Sequence, residues 1–178
     1  RGSAALKSAS AMPTAWKPSS RPQRLMLALR LPSSEATLRL GEALAAGVAP
    51  GRVLFISGDL GAGKTTLVRG LLRGLGYAGR AKSPTYALVE PYMLSSLDLY
   101  HFDFYRFKDR SEWLTSGFRE HFNPGSVCIV EWPEKAGDLL APPDVQIRLD
   151  FDGEARRASL EACSDAGRAW LSSLPSPS

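Results

Sequence analysis

Two cysteines and two histidines in 178 residues leave little material for a disulfide framework or a metal centre with soft ligands. Cys128 lies in an apolar run and reads as a small buried hydrophobe, Cys163 lies in a polar stretch, and the two have no metal-ligand spacing. His101 and His121 have neither metal-ligand spacing nor a nucleophile beside them, so both read as ordinary side chains. No run approaches the roughly 20 apolar residues that a membrane span needs, and the N-terminal stretch lacks the apolar core of a secretion signal. A soluble, cytoplasmic protein without membrane contact is the resulting expectation. Acidic residues are missing from one region: residues 1–24 carry Arg1, Lys7, Lys17, Arg21 and Arg24 and no Asp or Glu, a net of +5. The other 17 basic side chains face 18 acids, so the body is at −1 and the overall +4 belongs to the tail. Body charge therefore gives no support for a nucleic-acid surface, and no DNA partner is expected.

What the chain does contain is an octet. Gly58 to Thr65 read G-D-L-G-A-G-K-T, a complete G-x-x-x-x-G-K-[ST] phosphate-binding loop. Gly58, Gly61 and Gly63 allow positive φ angles and close backbone approach, so that amide N–H groups from the loop, including those of Asp59, Leu60 and Ala62, can line one anion-binding concavity. Lys64 supplies a point charge for β- and γ-phosphates, Thr65 a hydroxyl for Mg²⁺, and the helix that begins here the positive end of its dipole. The flanks agree with these roles. Val53-Leu54-Phe55-Ile56 reads as a strand, and Leu67, Val68, Leu71, Leu72 and Leu75 recur at helical spacing. Strand, loop, helix is the order that ATP- and GTP-binding loops require.

With 44% hydrophobic and 22% charged residues, the chain suits one globular domain. Residues 1–23, rich in Ser, Ala and Pro, read as a disordered tail, partly left over from an expression vector; 24–162 as the domain; 163–178 as a polar C-terminal tail whose last Ser/Pro residues fray. Arg24 to Leu31 suggests a first strand. Ser33 or Ser34 caps a helix whose apolar face is Leu38, Leu40, Leu44 and Ala45, ended by Gly47 and Pro50-Gly51. Beyond the loop helix, Ala87 to Tyr92 and Leu97 to Phe102 read as an antiparallel hairpin. Ser111 to His121 reads as a short helix, Val127 to Val130 as a buried strand, and Val145 to Phe151 as a last strand that Arg156 to Leu160 can join. The predicted architecture is α/β: a mixed sheet with flanking helices and an antiparallel hairpin after the loop helix.

A phosphate loop needs a carboxylate for Mg²⁺ or its waters. Glu131 follows four apolar strand residues and is delivered to the sheet edge where the loop lies. Asp103, at the end of the hairpin's second strand, reaches the same edge and can orient water or act through Mg²⁺-bound water. Thr85, between loop helix and hairpin, is placed to sense the γ-phosphate. Arg69, Arg73, Arg80 and Lys82 form either a basic edge or a solvated helix face. Tyr100, Phe102, Phe104 and Tyr105 either present aromatic surface to a partner or pack in the core.

Four motifs in this order, G-D-L-G-A-G-K-T-T, K-S-P-T-Y-A-L-V-E-P-Y, Y-H-F-D-F-Y-R and V-E-W-P-E, resemble the bacterial TsaE family, formerly YjeE, from about Leu31 to Arg156. The resemblance implies a small P-loop ATPase that binds ATP and Mg²⁺. It works with TsaD and TsaB to make N6-threonylcarbamoyladenosine at position 37 of tRNAs that read codons beginning with A. The tRNA would be met through that complex, and ATP turnover would reset TsaB–TsaD rather than transfer the carbamoyl group. Carried over, the resemblance gives Lys64 to the phosphates, Thr65 and Glu131 to Mg²⁺, Asp103 to hydrolysis and Thr66 to nucleotide contact. It gives Trp132 functional importance beside a packing role, and brings Ser34 and Arg156 near the nucleotide. Ala87 departs from the family's pattern, where a hydroxyl is expected. The rival readings are a small-molecule or nucleotide kinase and a partner-binding module that holds nucleotide without turning it over. A GTPase fits less well: the guanine-reading N-K-x-D motif is absent, and the only asparagine, Asn123, precedes Pro124.

Overall fold

The structure, a computed structural model, describes residues 24–175, so the expected disordered tail at 1–23 lies outside the described residues. Seven strands form one sheet: β1 Met26–Leu31, β2 Val53–Gly58, β3 Val89–Met93, β4 Asp98–Asp103, β5 Ser126–Glu131, β6 Val145–Asp152 and β7 Ala155–Ala162. Their spatial order is β1-β7-β6-β2-β5-β4-β3. The inner strands β6, β2, β5 and β4 run parallel, while β3 on one side and β7 and β1 on the other pair antiparallel. The mixed α/β sheet and the hairpin after the loop helix are as the sequence predicts. β5 is buried at all six residues because it sits between two strands and under side chains on both faces.

Those faces have different chemistry. Leu54, Ile56, Val127 and Ile129 point into an aliphatic core shared with the helices α1 (Ser34–Leu44), α2 (Lys64–Gly74) and α4 (Asp165–Ser172). Phe55, Cys128 and Val130 point the other way, into an aromatic core with Phe102, Phe104 and Trp113. Cys128 is thus the buried hydrophobe expected, and burial pushes its thiol pKa up to about 12. Phe102 and Phe104 are core residues, Phe104 lying 4.4 Å from Phe107 in a stacked pair.

Three expectations are corrected. Ser33 caps α1 and Leu40, Leu44 and Ala45 are buried as expected, but Thr37 and Gly41 share that buried face while Leu38 is only half-buried. A Cβ on Gly70 would collide with the Leu38 carbonyl, and one on Gly41 with that of Leu67, so glycines on both helices let the two backbones cross closely. Small residues at that crossing rotate α1 away from the apolar stripe that Leu38 suggested. The segment 111–121 is a one-turn helix, α3 (Glu112–Thr115), then a separate 3-10 turn at Phe118–His121; Gly117 at φ 76° breaks it. Residues 165–172 form α4 within the segment expected as a polar tail, capped by Ser164 and anchored by Trp170, whose indole N–H donates to the Leu44 carbonyl at 2.8 Å. No helix among the described residues is long and apolar enough to cross a membrane.

Candidate active site

The loop leaving β2 takes its shape from three glycines. Gly58, Gly61 and Gly63 have φ of 144°, 79° and 103°, a region that L side chains rarely adopt. At Gly58 a Cβ would also strike the Leu149 carbonyl of the neighbouring strand. Ala62 N–H donates to the Asp59 carbonyl at 3.0 Å, closing a turn, and α2 starts at Lys64 with Gly63 as its N-cap. Lys64, 5% exposed, donates to the carbonyls of Gly58 at 2.7 Å and Asp59 at 2.9 Å. These bonds hold the loop around the ammonium and leave one of its three donors free. Burial lowers the Lys64 pKa from the usual lysine range, and the carboxylates of Glu131, Asp103, Glu134 and Asp59 oppose that shift. Lys64 Nζ also stands 4.3 Å from the centre of the Trp132 ring.

The acids arrive from two adjacent strands. Parallel pairing of β4 with β5 sets Asp103 opposite Glu131, and pairing of β2 with β5 sets Glu131 opposite Ile56, two residues before the loop. Thr65 Oγ1 donates to Glu131 Oε1 at 3.0 Å. The same oxygen lies 2.9 Å from Nε2 of His101, a residue that reads as ordinary from sequence. Asp103 Oδ1 accepts the Tyr105 N–H at 2.9 Å. Burial raises the Asp103 carboxyl above the usual carboxylate range; Glu131 adds to this, while the Tyr105 N–H, His101 and Lys64 pull it back. Immediately after Glu131, Trp132 takes a left-handed φ of 57°, which turns its ring onto Lys64 and within 5.1 Å of Tyr105.

One cleft of about 490 Å³ gathers Leu60, Gly61, Gly63, Lys64, Thr65, Thr66, Thr85, Asp103, Glu131 and Trp132. Gly58 and Asp59 open instead on a neighbouring cleft beyond Trp132, beside Glu134 and Arg148. Ser34 and Arg156 share a third, smaller cleft with Ala62 and Thr66, where the Arg156 guanidinium donates to the Gly61 carbonyl at 3.3 Å. Thr66 links that cleft to the main one. The main cleft adds Ser83 and Arg106, which sequence reasoning passed over, and Tyr105, which it read as partner-facing or core aromatic. Ser83 Oγ lies 2.7 Å from Thr85 Oγ1, and the Arg106 guanidinium lies 4.3 Å from the Tyr86 ring. The Y-H-F-D-F-Y-R run held the signal for His101, Tyr105 and Arg106: polar groups interleaved with aromatics along and just past β4, the strand beside the one that carries Glu131. The basic edge stands apart, since Arg69, Arg73, Arg80 and Lys82 do not line the main cleft and Arg73 pairs with Glu42 at 3.0 Å.

The donor set is one of hard oxygens. Thr65 Oγ1 and Glu131 already meet, Asp103 is the adjacent carboxylate, and no group of three or more His, Cys, Asp or Glu able to hold an ion exists among the described residues. Such a site fits Mg²⁺, which takes few protein ligands and completes its shell with phosphate and water.

A family profile described as threonylcarbamoyl adenosine biosynthesis protein TsaE matches residues 31–159. The tRNA threonylcarbamoyladenosine biosynthesis protein TsaE of Haemophilus influenzae is 43% identical over 122 residues, 68% of this chain and 77% of that protein. The protein of the same name from Bacillus subtilis is 39% identical over 128 residues, 72% of this chain and 80% of its own length. Among solved structures, Bacillus subtilis YdiB superposes with a TM-score of 0.72 at 29% identity, covering 84% of this chain and 93% of YdiB. The glycine-shaped loop, the carboxylates at the ends of β4 and β5 and these likenesses converge: the chain belongs to the TsaE family of threonylcarbamoyladenosine biosynthesis proteins.

Proposed function

We propose that this protein is an Mg²⁺-dependent ATP-binding protein and weak ATPase that supports TsaB and TsaD in forming N6-threonylcarbamoyladenosine in tRNA. The observation that carries the reading is the convergence of Lys64, Thr65, Glu131 and Asp103 on one cleft at the mouth of the glycine loop. Lys64 has a free donor for the β- and γ-phosphates, and the loop amides at the start of α2 favour an anion. Thr65 and Glu131 would hold Mg²⁺, which would supply positive charge to offset the negative charge that develops during phosphoryl transfer. Asp103, next to Glu131 and with its carboxyl pKa raised by burial, is the group nearest at hand to orient an attacking water. Ser83 and Thr85 come from the segment before β3 and face the same space, as a switch segment does.

Turnover by the isolated chain is expected to be weak. The arginine that lines the main cleft, Arg106, rests on the exposed Tyr86 ring, so we read it as unengaged with the phosphate loop and expect a partner to supply further charge to the transition state. ATP hydrolysis measured with and without the TsaB–TsaD pair, with Lys64→Ala as the blank, tests the reading. Strong stimulation absent from the blank supports it. ATP consumption that starts only when a small acceptor is added would favour a kinase, and tight ATP retention without turnover in any mixture would favour a non-enzymatic module.

A further inference from the structure

His101 sits within β4, 1% exposed, on the same strand face as Asp103 two residues on. A wholly buried imidazole carries a desolvation cost that an apolar side chain would avoid, so its hydrogen bonds must account for it. It makes one. Nε2 lies 2.9 Å from Glu131 Oε1, and Nδ1 has no partner. A carboxylate oxygen accepts, so the network assigns a proton to Nε2, while Nδ1 is left without a partner. The ring is satisfied in one direction only, towards Glu131.

Glu131 is held in turn from two sides. Oε1 receives both the imidazole and Thr65 Oγ1, the latter at 3.0 Å, whereas Oε2 stands 3.4 Å from that hydroxyl. Two contacts from different elements, the centre of β4 and the first turn of α2, fix the plane of the carboxylate and leave Oε2 the more weakly held oxygen. Strand register makes the arrangement rigid: His101 is opposite Ile129, so its ring reaches diagonally forward to Glu131 on the shared face.

We propose that His101 is a positioning residue for Mg²⁺ recruitment: it aims the Glu131 carboxylate before nucleotide arrives, so that the cation carried in with ATP meets an already oriented oxygen. The inference rests on the reading of Glu131 as the Mg²⁺ carboxylate. Partners that orient a ligating group in this way typically account for about 10–100-fold in metal affinity.

Calorimetric titration of the full chain with ATP, once with Mg²⁺ and once with EDTA, tests it in the wild type, His101→Leu, His101→Gln and Glu131→Ala. Leucine fills the space without a donor; glutamine presents an amide N–H near the Nε2 position. His101→Leu is expected to lose about tenfold of the Mg²⁺-dependent gain in ATP affinity, with EDTA affinity and melting temperature close to wild type. His101→Gln is expected to recover most of the gain. A leucine variant with the full gain, or a glutamine variant as poor as leucine, overturns the proposal. If Glu131→Ala keeps the gain, the underlying reading fails; if Glu131→Ala loses it and His101→Leu does not, only the present inference fails. Should His101→Leu not fold, His101→Asn, polar but too short to reach Glu131, takes its place with the same two outcomes.

Discussion

Asp103 and Glu131 stand side by side across two parallel strands and meet different surroundings. Glu131 is bound by Thr65 and His101, whereas Asp103 has one backbone donor and a raised pKa whose first cause is burial. A carboxyl whose folded pKa is raised contributes stability that is present at low pH and is lost as pH rises through that folded value. Ionised Asp103 is therefore a liability at neutral pH. Asp103→Asn, which keeps an acceptor for Tyr105, is expected to melt higher than wild type at pH 7 and to lose that advantage by about pH 4; each kcal/mol gained would raise Tm by about 2–4 °C in a chain of this size. Equal melting temperatures at both pH values would contradict the assignment. In hydrolysis, Asp103→Ala and Glu131→Ala are both expected to be impaired, with the Mg²⁺ requirement changed mainly in the second; identical Mg²⁺ titrations would refute the division of roles. Both acids were legible because each ends an apolar strand, where a carboxylate has no structural excuse except the sheet edge. His101 was not, because a lone histidine without metal-ligand spacing or a neighbouring nucleophile reads as an ordinary side chain until the partner strand's register is known.

Elements built on strong periodic signals were read well, and those built on close backbone contact were not. β2, the loop and α2 follow from an apolar run, three glycines and a helical stripe, and the hairpin follows from two short strands about a polar turn. The face of α1 depends on Gly41 and Gly70 meeting the carbonyls of the opposite helix, which no hydrophobic pattern reveals. α4 hides behind Ser, Asp and Gly residues; Gly167 is there because a Cβ would collide with the Asp144 carbonyl, and only Trp170 and Leu171 announce a buried face. Gly70→Ala is the test at this scale. Forcing α1 and α2 apart should cost about 1–3 kcal/mol in urea unfolding and weaken ATP binding as well, because α2 carries Lys64 and Thr65 at its first turn. A stable variant with normal ATP affinity would show that the helices can separate without moving the loop.

At the scale of the whole molecule, the site is assembled from the β2–α2 loop, the segment before β3, and the ends of β4 and β5, so ligand binding ties four stretches together. Mg²⁺-ATP at about 100 times its dissociation constant is expected to stabilise the fold by about 2.7 kcal/mol, read as a higher Tm that Lys64→Ala lacks; no shift in the wild type would count against a preformed nucleotide site. The contrast between a +5 N-terminal stretch and a −1 body was legible from residue counts alone, whereas the three adjoining clefts around the loop needed the fold. β1, the first strand of the sheet, has β7 as its single neighbour, and the Leu44 carbonyl of α1 is capped by Trp170. During synthesis, then, β1 emerges with nothing to pair with and stays so until residue 162 has followed it, a wait on the order of 10 s at about 5–20 residues per second. The nucleotide loop and its helix leave the ribosome well before the strand and helix that close the sheet's far edge, so the molecule acquires its chemistry in pieces and its integrity last.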